Sequence, residues 1–558
     1  MDPYVGSMNA NLSARVWSAP VCSSVMTNVD LLVIGGGLGG VAAALTAVRL
    51  GQRVVLTEAG DWLGGQLTSQ GVPPDENPWI QTHPPSTSYA ELRERIRDHY
   101  RRNYPLTPQA ATDPLLNPGA GRVSALCHEP RVAAAVLADM ISPHLASGRL
   151  TLLTGVEPVH VERTGATITA VTVRHRLTGD DHVLHGRLVA DATELGDLLA
   201  LAEAPHVLGA ESRSDTGELH APERADPRDQ QAITWCVALA YRPGEDHTIP
   251  RPASYHHWAT EVAPFWPGPQ LSWTDVEPVS LAERTRPVFL DTYEHAVSSN
   301  ENDLWHYRRI VSKAAMAPGW PGEDVTLVNW PQIDYWELPL LDVEQAERDH
   351  ALARSRELTL SFVHWMQTAA PRSDGGTGYP ELQLRGDVLG TTDGLAKEPY
   401  IREARRLRSL VRVTEGDIGR EQRGEHAGSA LVDDTVGTGF YRIDLHPSTG
   451  GRTYIDIDCF PFQIPLGALI GDEIDNLVAV NKNIGTTHIT NGAYRLHPVE
   501  WSIGEAAGAL SVVAAGRRML SKDVWASARS EVQQLLADRL GVQLAWPERI
   551  RTREIDRS

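Results

Sequence analysis

The chain has 558 residues, of which 42% are hydrophobic and 22% charged, a composition typical of a soluble globular protein with a large core. Its formal net charge of −20 argues against broad binding to nucleic acid or to an anionic membrane surface. No apolar run is long enough to span a bilayer. The four cysteines form no C-x-x-C pair, so we expect no metal site and no disulfide framework, and a reduced, cytoplasmic setting is favoured. They are Cys22, Cys127, Cys236 and Cys459.

The first predicted elements are a strand, a glycine turn and a helix. After Asp30, residues 31–34 are apolar and end the strand, and residues 41–50 have the pattern of a helix. Between them, Gly35, Gly37 and Gly40 have the G-x-G-x-x-G spacing. In such a turn the first glycine allows the tight bend, the second admits a pyrophosphate to the backbone, and the third lets the helix pack on the strand. The segment therefore predicts a dinucleotide site.

A second strand supports this site. It covers residues 53–57 and ends in Glu58, at the position where an acidic side chain, about 20 residues after the turn, binds a ribose hydroxyl. These residues by themselves leave two cofactors open, FAD and NAD.

The rest of the chain predicts a mixture of helices and strands. Helices are predicted over residues 89–104, 129–141, 196–201 and 502–519. An antiparallel meander is predicted from strands at 150–153, 156–162, 166–174 and 182–184, with further apolar strands at 188–193 and 477–480. The middle of the chain holds most of the tryptophans, which we expect mainly in a core, with an aromatic substrate pocket as the alternative.

Five segments together resemble the bacterial FAD-dependent oxidoreductases of the glutathione-reductase-like class. They read GGGLGG (35–40), WLGGQ (62–66), CHEPRV (127–132), DATELGDL (191–198) and NIGTTHITNGAYRLHP (483–498). The resemblance spans about residues 28 to 520 and implies FAD as the cofactor. One departure is Asn481, which stands where such proteins usually have a glycine.

The resemblance implies an α/β fold, with a Rossmann-like FAD-binding domain that combines a parallel sheet with an antiparallel meander and carries an inserted α+β substrate domain. We expect a loose N-terminal extension and a C-terminal helical tail around these domains. The boundaries are 1–27 (extension), 28–204 and 451–520 (FAD-binding domain), 205–450 (substrate domain) and 521–558 (tail).

The resemblance also implies which residues contact FAD. The glycine turn would hold the pyrophosphate and Glu58 the adenosine ribose. The WLGGQ segment would lie along the ribityl chain and the isoalloxazine, and the start of the last segment would close over the pyrimidine side of the flavin. The full set is Gly35, Gly37, Leu38, Gly39, Gly40, Glu58, Ala59, Gly64, Gly65, Gln66, Asp191, Ala192, Asn483, Gly485, Thr486 and Thr487.

Four polar residues near the end of the chain are our candidates for chemistry. Lys482 is one of only four lysines and would hold the negative charge of the reduced flavin, unless it pairs with Glu500 or another carboxylate. His488 and His497 are candidates for acid or base, since histidine titrates near working pH, with a structural role as the alternative for each. Asn491 completes the set.

Cys127 precedes a predicted helix, where a thiol pKa is lowered in some proteins. A reactive thiolate or a covalent flavin link is one interpretation of this cysteine. A small buried hydrophobic side chain is the more common case, and we favour it.

Only one dinucleotide fingerprint occurs, which favours oxidation of a substrate over reduction by NAD(P)H. We therefore expect a dehydrogenase or oxidase that transfers hydride from a small polar metabolite to flavin N5, in a specialised biosynthetic pathway, with oxygen or an electron carrier as the second partner. A homodimer is one option for its assembly. The alternatives are a flavin-dependent monooxygenase that uses external NAD(P)H, a non-redox lyase or isomerase with FAD as a scaffold, and an NAD-binding protein.

Overall fold

The computed structural model describes residues 26–299 and 301–553. The predicted N-terminal extension lies outside the described residues except for its last two positions, and Cys22 also lies outside them. Within the described ranges, no helix is long and apolar enough to cross a membrane.

A seven-stranded sheet forms the framework of the nucleotide-binding part. Its strands are β1 (Met26–Ile34), β2 (Val54–Glu58), β3 (Leu150–Thr154), β4 (Val156–Thr164), β5 (Thr167–His175), β6 (Asp181–Asp191) and β7 (Leu477–Ala479). The spatial order is β3-β2-β1-β6-β5-β4, and β7 pairs with the last residues of β6. The last four residues of β1 are fully buried, because this strand has parallel neighbours on both sides. The prediction of a parallel sheet joined to an antiparallel meander is confirmed.

Five helices flank this sheet or lead to the site. They are α1 (Leu38–Arg49), α2 (Thr87–Asn103), α3 (Pro130–Ala146), α4 (His488–Tyr494) and α5 (His497–Arg517). Helix α5 begins five residues before the predicted start at 502, because Pro498 fits the first turn of a helix. It packs closely on α1: a Cβ on Gly504 would lie 2.1 Å from the carbonyl oxygen of Gly39.

Two strand predictions are wrong. The sequence predicts β3 in the meander, but β3 pairs in parallel with β2, with Val54 opposite Leu150. Because α3 lies between these strands in the sequence, the chain re-enters the sheet in the same direction. The predicted strands 182–184 and 188–193 belong to the single strand β6. This strand pairs with β5 over residues 181–184, with β1 between residues 184 and 191, and with β7 over residues 189–191. The observed meander is β4-β5-β6.

The middle of the chain forms antiparallel sheets around a second core. Its largest sheet has the spatial order Arg309–Val311, Val325–Val328, Val237–Tyr241 and Leu382–Leu384. The long helix Gln345–Thr368 contributes to this second core. Five of the tryptophans are part of it, as expected for core residues: Trp258, Trp273, Trp305, Trp330 and Trp365. The domain boundaries themselves stay a prediction.

The remaining elements are short. Two-stranded sheets pair His206–Val207 with Arg406–Leu407, Ile233–Thr234 with Asp334–Tyr335, Thr274–Val276 with Glu283–Thr285, Thr435–Gly439 with Phe462–Pro465, and Ile443–Leu445 with Ile455–Ile457. Short α-helices are Pro108–Thr112, Asp197–Leu201, Arg213–Thr216, Tyr255–Thr260, Tyr293–Ser298, Leu304–Tyr307, Gly386–Leu389, Glu415–Ile418, Arg420–Arg423, Ser521–Ser527, Arg529–Leu540 and Glu548–Arg551. Turns of 3₁₀-helix are Gly65–Leu67, Lys313–Ala315, Pro331–Ile333 and Leu466–Leu469.

Candidate FAD and substrate site

The turn between β1 and α1 needs glycine at two positions. Gly35 has a φ of +103°, and a Cβ there would lie 2.2 Å from the carbonyl oxygen of Ala192. A Cβ on Gly40 would lie 2.2 Å from the carbonyl oxygen of Gly35. The first and third glycines of the fingerprint are therefore fixed by the backbone of the fold.

Gly37 differs from these two glycines. Its φ is −59°, which any residue adopts, and it caps the N-terminus of α1. A Cβ on Gly37 would meet only the polar ends of Asn481 and Glu194, at 2.8 Å each. The helix N-terminus therefore faces a polar space, as the prediction of a pyrophosphate site requires.

Glu58 lies at the end of β2, beside the glycine turn. Its carboxylate accepts hydrogen bonds from the backbone N–H of Gly36 at 3.0 Å and of Gly60 at 2.7 Å. Burial raises the pKa of Glu58 from 4.5 to about 7. The side chain that was predicted to bind the ribose is thus next to the turn that was predicted to bind the phosphates.

The WLGGQ segment folds over the same turn. Gly64 and Gly65 both have positive φ, +109° and +49°. A Cβ on Gly65 would lie 2.3 Å from Oε1 of Glu194 and 3.2 Å from Cα of Gly37. The two glycine segments and Glu194 therefore enclose one small space.

Lys482 is buried at this place, between two carboxylates. Its Nζ forms an ion pair with Glu194 and lies 3.4 Å from Oε1 of Glu500. The amide of Gln66 donates to Oε2 of Glu500 at 2.6 Å and to the carbonyl oxygen of Arg495 at 2.9 Å. Burial lowers the pKa of Lys482, but the two carboxylates raise it well above its ordinary value, so this residue is a fixed cation. The ion pair with Glu500, which the sequence left as an alternative, is present.

Asparagine side chains join the ends of β6 and β7. Asn481 donates from Nδ2 to the carbonyl oxygen of Ala192 at 3.1 Å, and Asn483 donates to that of Asp191 at 3.0 Å. Asn481 has no positive φ, so the turn accommodates this departure from the family pattern. The carboxylate of Asp191 accepts from the backbone N–H of Thr193 and of Leu199, and thus caps the following turn.

The 483–498 segment places its polar side chains in different surroundings. Thr487 caps α4 by accepting from the backbone N–H of Thr490, and Asn491 donates to the carbonyl oxygen of Arg402 at 2.8 Å. The hydroxyl of Thr486 is buried and has no hydrogen-bond partner.

The two candidate histidines are both buried, but their partners differ. His488 begins α4, where Nδ1 lies 2.9 Å from Glu403 and Nε2 lies 2.7 Å from a guanidinium nitrogen of Arg452. Both of its ring nitrogens are therefore engaged. His497 begins α5 and accepts at Nδ1 from the backbone N–H of Asp75 at 3.1 Å. Burial, and then the charge of Arg308, hold the pKa of His497 well below 6.5, so this ring is neutral at pH 7.

Several side chains in or beside the predicted FAD site have polar atoms that are buried without a hydrogen-bond partner. These atoms are Oε1 of Gln66, Oε1 of Glu194, Oδ1 of Asn481, Oγ1 of Thr486 and Oδ1 of Asn491. Because buried polar groups in folded proteins are almost always paired, this set fits a bound polar cofactor. Together with the two glycine segments, these residues would hold FAD. In the described part of the chain, no group of three or more His, Cys, Asp and Glu side chains is arranged to hold a metal ion.

A cavity of about 330 Å³ lies next to this site, and we call it the polar cavity. It opens between the middle of the chain and the FAD-binding part. Its wall includes Asp75, Arg308, Asn329, Arg402, Tyr454 and Arg495. Arg495 connects the two sites, since its carbonyl oxygen accepts from Gln66 and its guanidinium lines the cavity.

Sequence reasoning missed most of the polar cavity. Asp75, Arg308 and Arg402 lie in segments without a recognisable motif and come together only in the fold. The one available signal was Arg495, which belongs to the last motif.

Cys127 is fully buried, and burial raises the pKa of its thiol to about 12. Its Sγ contacts the carbonyl oxygen of Ser124 at 3.6 Å. This environment is that of an unreactive core thiol, the interpretation favoured from the sequence.

Comparisons with known proteins bear on the cofactor. The profile of the family described as FAD dependent oxidoreductase matches residues 30–536. Hydroxyneurosporene desaturase of Rhodobacter capsulatus is 37% identical over 78 residues, which are 13% of this chain and only 16% of the desaturase.

Solved structures give distant likenesses. A geranylgeranyl bacteriochlorophyll reductase-like protein from Thermoplasma acidophilum is 11% identical with a TM-score of 0.29, over 92% of this chain and 84% of that chain. Glycerol-3-phosphate dehydrogenase from Bacillus halodurans, solved with FAD, is 16% identical with a TM-score of 0.23, over 38% of this chain and 40% of that chain. Likenesses at this level indicate no substrate. The family profile, however, covers most of the chain, and this protein belongs to the FAD dependent oxidoreductase family, with FAD as its cofactor.

Proposed function

We propose that this protein is an FAD-dependent dehydrogenase or oxidase that removes a hydride from a small polar metabolite. The observation that carries the proposal is the polar cavity. Its volume of about 330 Å³ is suited to a small ligand, and its wall consists largely of arginine, aspartate and tyrosine side chains. It adjoins the FAD site through Arg495.

The strand pairing in the middle of the chain argues against a binding unit for NAD(P)H, and so favours oxygen or an electron carrier as the partner that reoxidises the flavin. Outside the seven-stranded sheet, every strand pair in the described residues is antiparallel. A second Rossmann unit for a nicotinamide cofactor would need parallel strands joined by a helix. Oxygen or an electron carrier is therefore our proposed acceptor.

When bound, FAD supplies the acceptor for the hydride, and the chain supplies binding, orientation and proton transfer. Asp75 is our candidate for the proton acceptor, because it lines the polar cavity, is buried, and has no hydrogen-bond partner at Oδ1. Burial raises its pKa above 3.8, toward the range useful for a general base, although Arg308 opposes this shift. Lys482 would stabilise negative charge on the reduced cofactor. His488, with both nitrogens engaged, remains the alternative proton acceptor.

The test is anaerobic reduction of the FAD-loaded protein by a panel of small polar metabolites, followed by flavin absorbance. We expect at least one metabolite to bleach the flavin. Asp75→Asn should keep FAD bound but slow this reduction roughly 100-fold or more, the range of general base catalysis. Asp456→Asn is the matched control, since Asp456 lines the same cavity but is ion-paired with Arg442.

Other outcomes separate the alternatives. Bleaching by NADPH without a metabolite would favour a monooxygenase. A stably bound flavin that no metabolite reduces would favour a non-redox scaffold. If His488→Ala, and not Asp75→Asn, slows reduction, the proton acceptor is His488.

We also propose a cytoplasmic location. Cys127, Cys236 and Cys459 are all buried and unpaired, as expected for a protein of a reducing compartment.

A further inference from the structure

Arg308 is a buried guanidinium without a hydrogen-bonded carboxylate. Its side chain is 9% exposed, and its Nε and Nη1 have no hydrogen-bond partner. The nearest carboxylate oxygen, Oδ1 of Asp75, is 3.7 Å from Nη1, and the guanidinium lies over the ring of Tyr307. Because leaving a buried charge without hydrogen bonds is unfavourable, this arrangement indicates an anionic ligand in the polar cavity.

Other donors on the cavity wall are also buried without a partner. They include Nε of Arg286, Nε of Arg402 and Nδ2 of Asn329. Arg284 and Arg286 both bind the single carboxylate of Asp275, so this part of the wall has more guanidinium groups than carboxylates.

The cavity wall also carries carboxylates, which limit the kind of anion that it can bind. Oδ1 of Asp75 has no hydrogen-bond partner. Asp444 lines the cavity as well; burial raises its pKa, but His446 and Arg495 more than offset this and hold the pKa well below its ordinary value, so Asp444 stays ionised. The carboxylates on the wall, which belong to Asp75, Glu76, Asp444 and Asp456, would repel a phosphate dianion. They suit a ligand that has one carboxylate and also carries a hydrogen-bond donor.

We propose that the polar cavity binds a small carboxylate with a hydroxyl or amino group on the adjacent carbon. Its carboxylate lies against Arg308, and its hydroxyl or amino group donates to Asp75. This assignment of the substrate class rests on the proposed function. Oxidation removes the C–H hydrogen with its electron pair, which FAD accepts, and the O–H or N–H proton goes to Asp75, leaving a keto or imino acid.

The test measures binding to the FAD-loaded protein by calorimetry, so that it does not depend on turnover. The probes are hydroxy- and amino-carboxylates of three to six carbons, each paired with its neutral amide, together with inorganic phosphate. We expect at least one carboxylate to bind, its amide to bind at least tenfold more weakly, and phosphate not to compete.

Arg308→Gln should weaken that binding roughly 10- to 100-fold, as expected for the loss of hydrogen bonds to a charged group. Arg308→Lys keeps the charge and should recover part of the affinity. Arg97→Gln is the matched control, because Arg97 is buried to a similar degree, with a 4% exposed side chain, but donates to Leu116 away from the cavity. It should leave binding unchanged.

The outcomes separate this inference from the proposed function. The inference is overturned if no carboxylate binds, if the amides or phosphate bind equally well, or if Arg308→Gln and Arg97→Gln behave alike. Binding that depends on Arg308 without flavin reduction supports the inference and contradicts the proposed function. If a neutral metabolite reduces the flavin and Arg308→Gln does not slow this reduction, the result supports the proposed function and contradicts the inference.

Discussion

Alanine at Gly35 should impair the stability of the fold and alanine at Gly37 should impair FAD binding, although the two residues belong to the same turn. Gly35 has positive φ, which disfavours an L-residue by roughly 1–2 kcal/mol. Its new Cβ would also lie 2.2 Å from a backbone oxygen of Ala192, and relieving such overpacking costs roughly 1–3 kcal/mol more. We therefore expect Gly35→Ala to lower the free energy of unfolding by about 2–5 kcal/mol.

Gly37→Ala should leave the fold intact and impair the cofactor site. The φ of −59° suits alanine, and the new methyl group would meet only the ends of the Asn481 and Glu194 side chains, which can move. Loss of an N-cap glycine costs about 1 kcal/mol or less. If the methyl group prevents one charge-assisted hydrogen bond to the pyrophosphate, FAD affinity falls roughly 10- to 100-fold.

The assays are urea denaturation of the apoprotein and quenching of FAD fluorescence on binding. Gly148→Ala is the control for backbone strain, because Gly148 has a φ of +70° and no neighbour within 4 Å of a new Cβ. The reasoning is refuted if Gly35→Ala is no less stable than Gly148→Ala, or if Gly37→Ala binds FAD as tightly as the parent protein.

Three further predictions concern buried titratable groups. Burial raises the pKa of Glu505 from 4.5 to about 7, so the folded protein favours the protonated carboxyl, and this contribution to stability is lost as the pH rises through this range. Glu505→Gln should therefore stabilise the protein by up to about 3 kcal/mol at pH 8 and little at pH 4.5. Equal effects in urea denaturation at both pH values would contradict this. Lys482→Met leaves the buried carboxylate of Glu500 and the partly exposed carboxylate of Glu194 without their cation and should destabilise the protein by roughly 3–5 kcal/mol at pH 8. The loss should be smaller at pH 5.5, where Glu500, with a pKa raised by burial to about 7, is protonated; a pH-independent loss would argue against the ion pair. Cys127, with a thiol pKa of about 12, should resist iodoacetamide in the native protein at pH 8 and react after unfolding, as followed by peptide mass mapping; rapid native labelling would show that the thiol is accessible.

Much of the FAD site follows from residues that are close in the sequence. The glycine turn, the strand that precedes it and the helix that follows are local features, and Gly40 is required by a contact within that turn, with Gly35. The contact that requires Gly35, with Ala192, comes from the tertiary structure. The acidic residue at the end of β2 is also predictable, because parallel neighbouring strands bring their carboxyl ends to the same edge of the sheet.

The pairing of distant segments was harder to predict. β3 looks like the first strand of a meander, and only the position of α3 between β2 and β3 makes it a parallel strand. The sequence named Glu500 as an alternative partner of Lys482, but the other partner, Glu194, lies 288 residues away in the chain. Sequence periodicity describes one element at a time and therefore gives no information on such contacts.

The sequence by itself determined the class of the fold and the glycine turn between β1 and α1, because each depends on a short motif with a defined backbone geometry. FAD as the cofactor followed from the resemblance of five segments taken together. Only the tertiary structure decided the polar cavity. Asp75, Arg308, Arg402 and Arg495 lie far apart in the chain and meet where the middle sheets pack on the FAD-binding part. Their significance lies in burial and in unpaired hydrogen-bonding atoms, which are properties of the packed molecule.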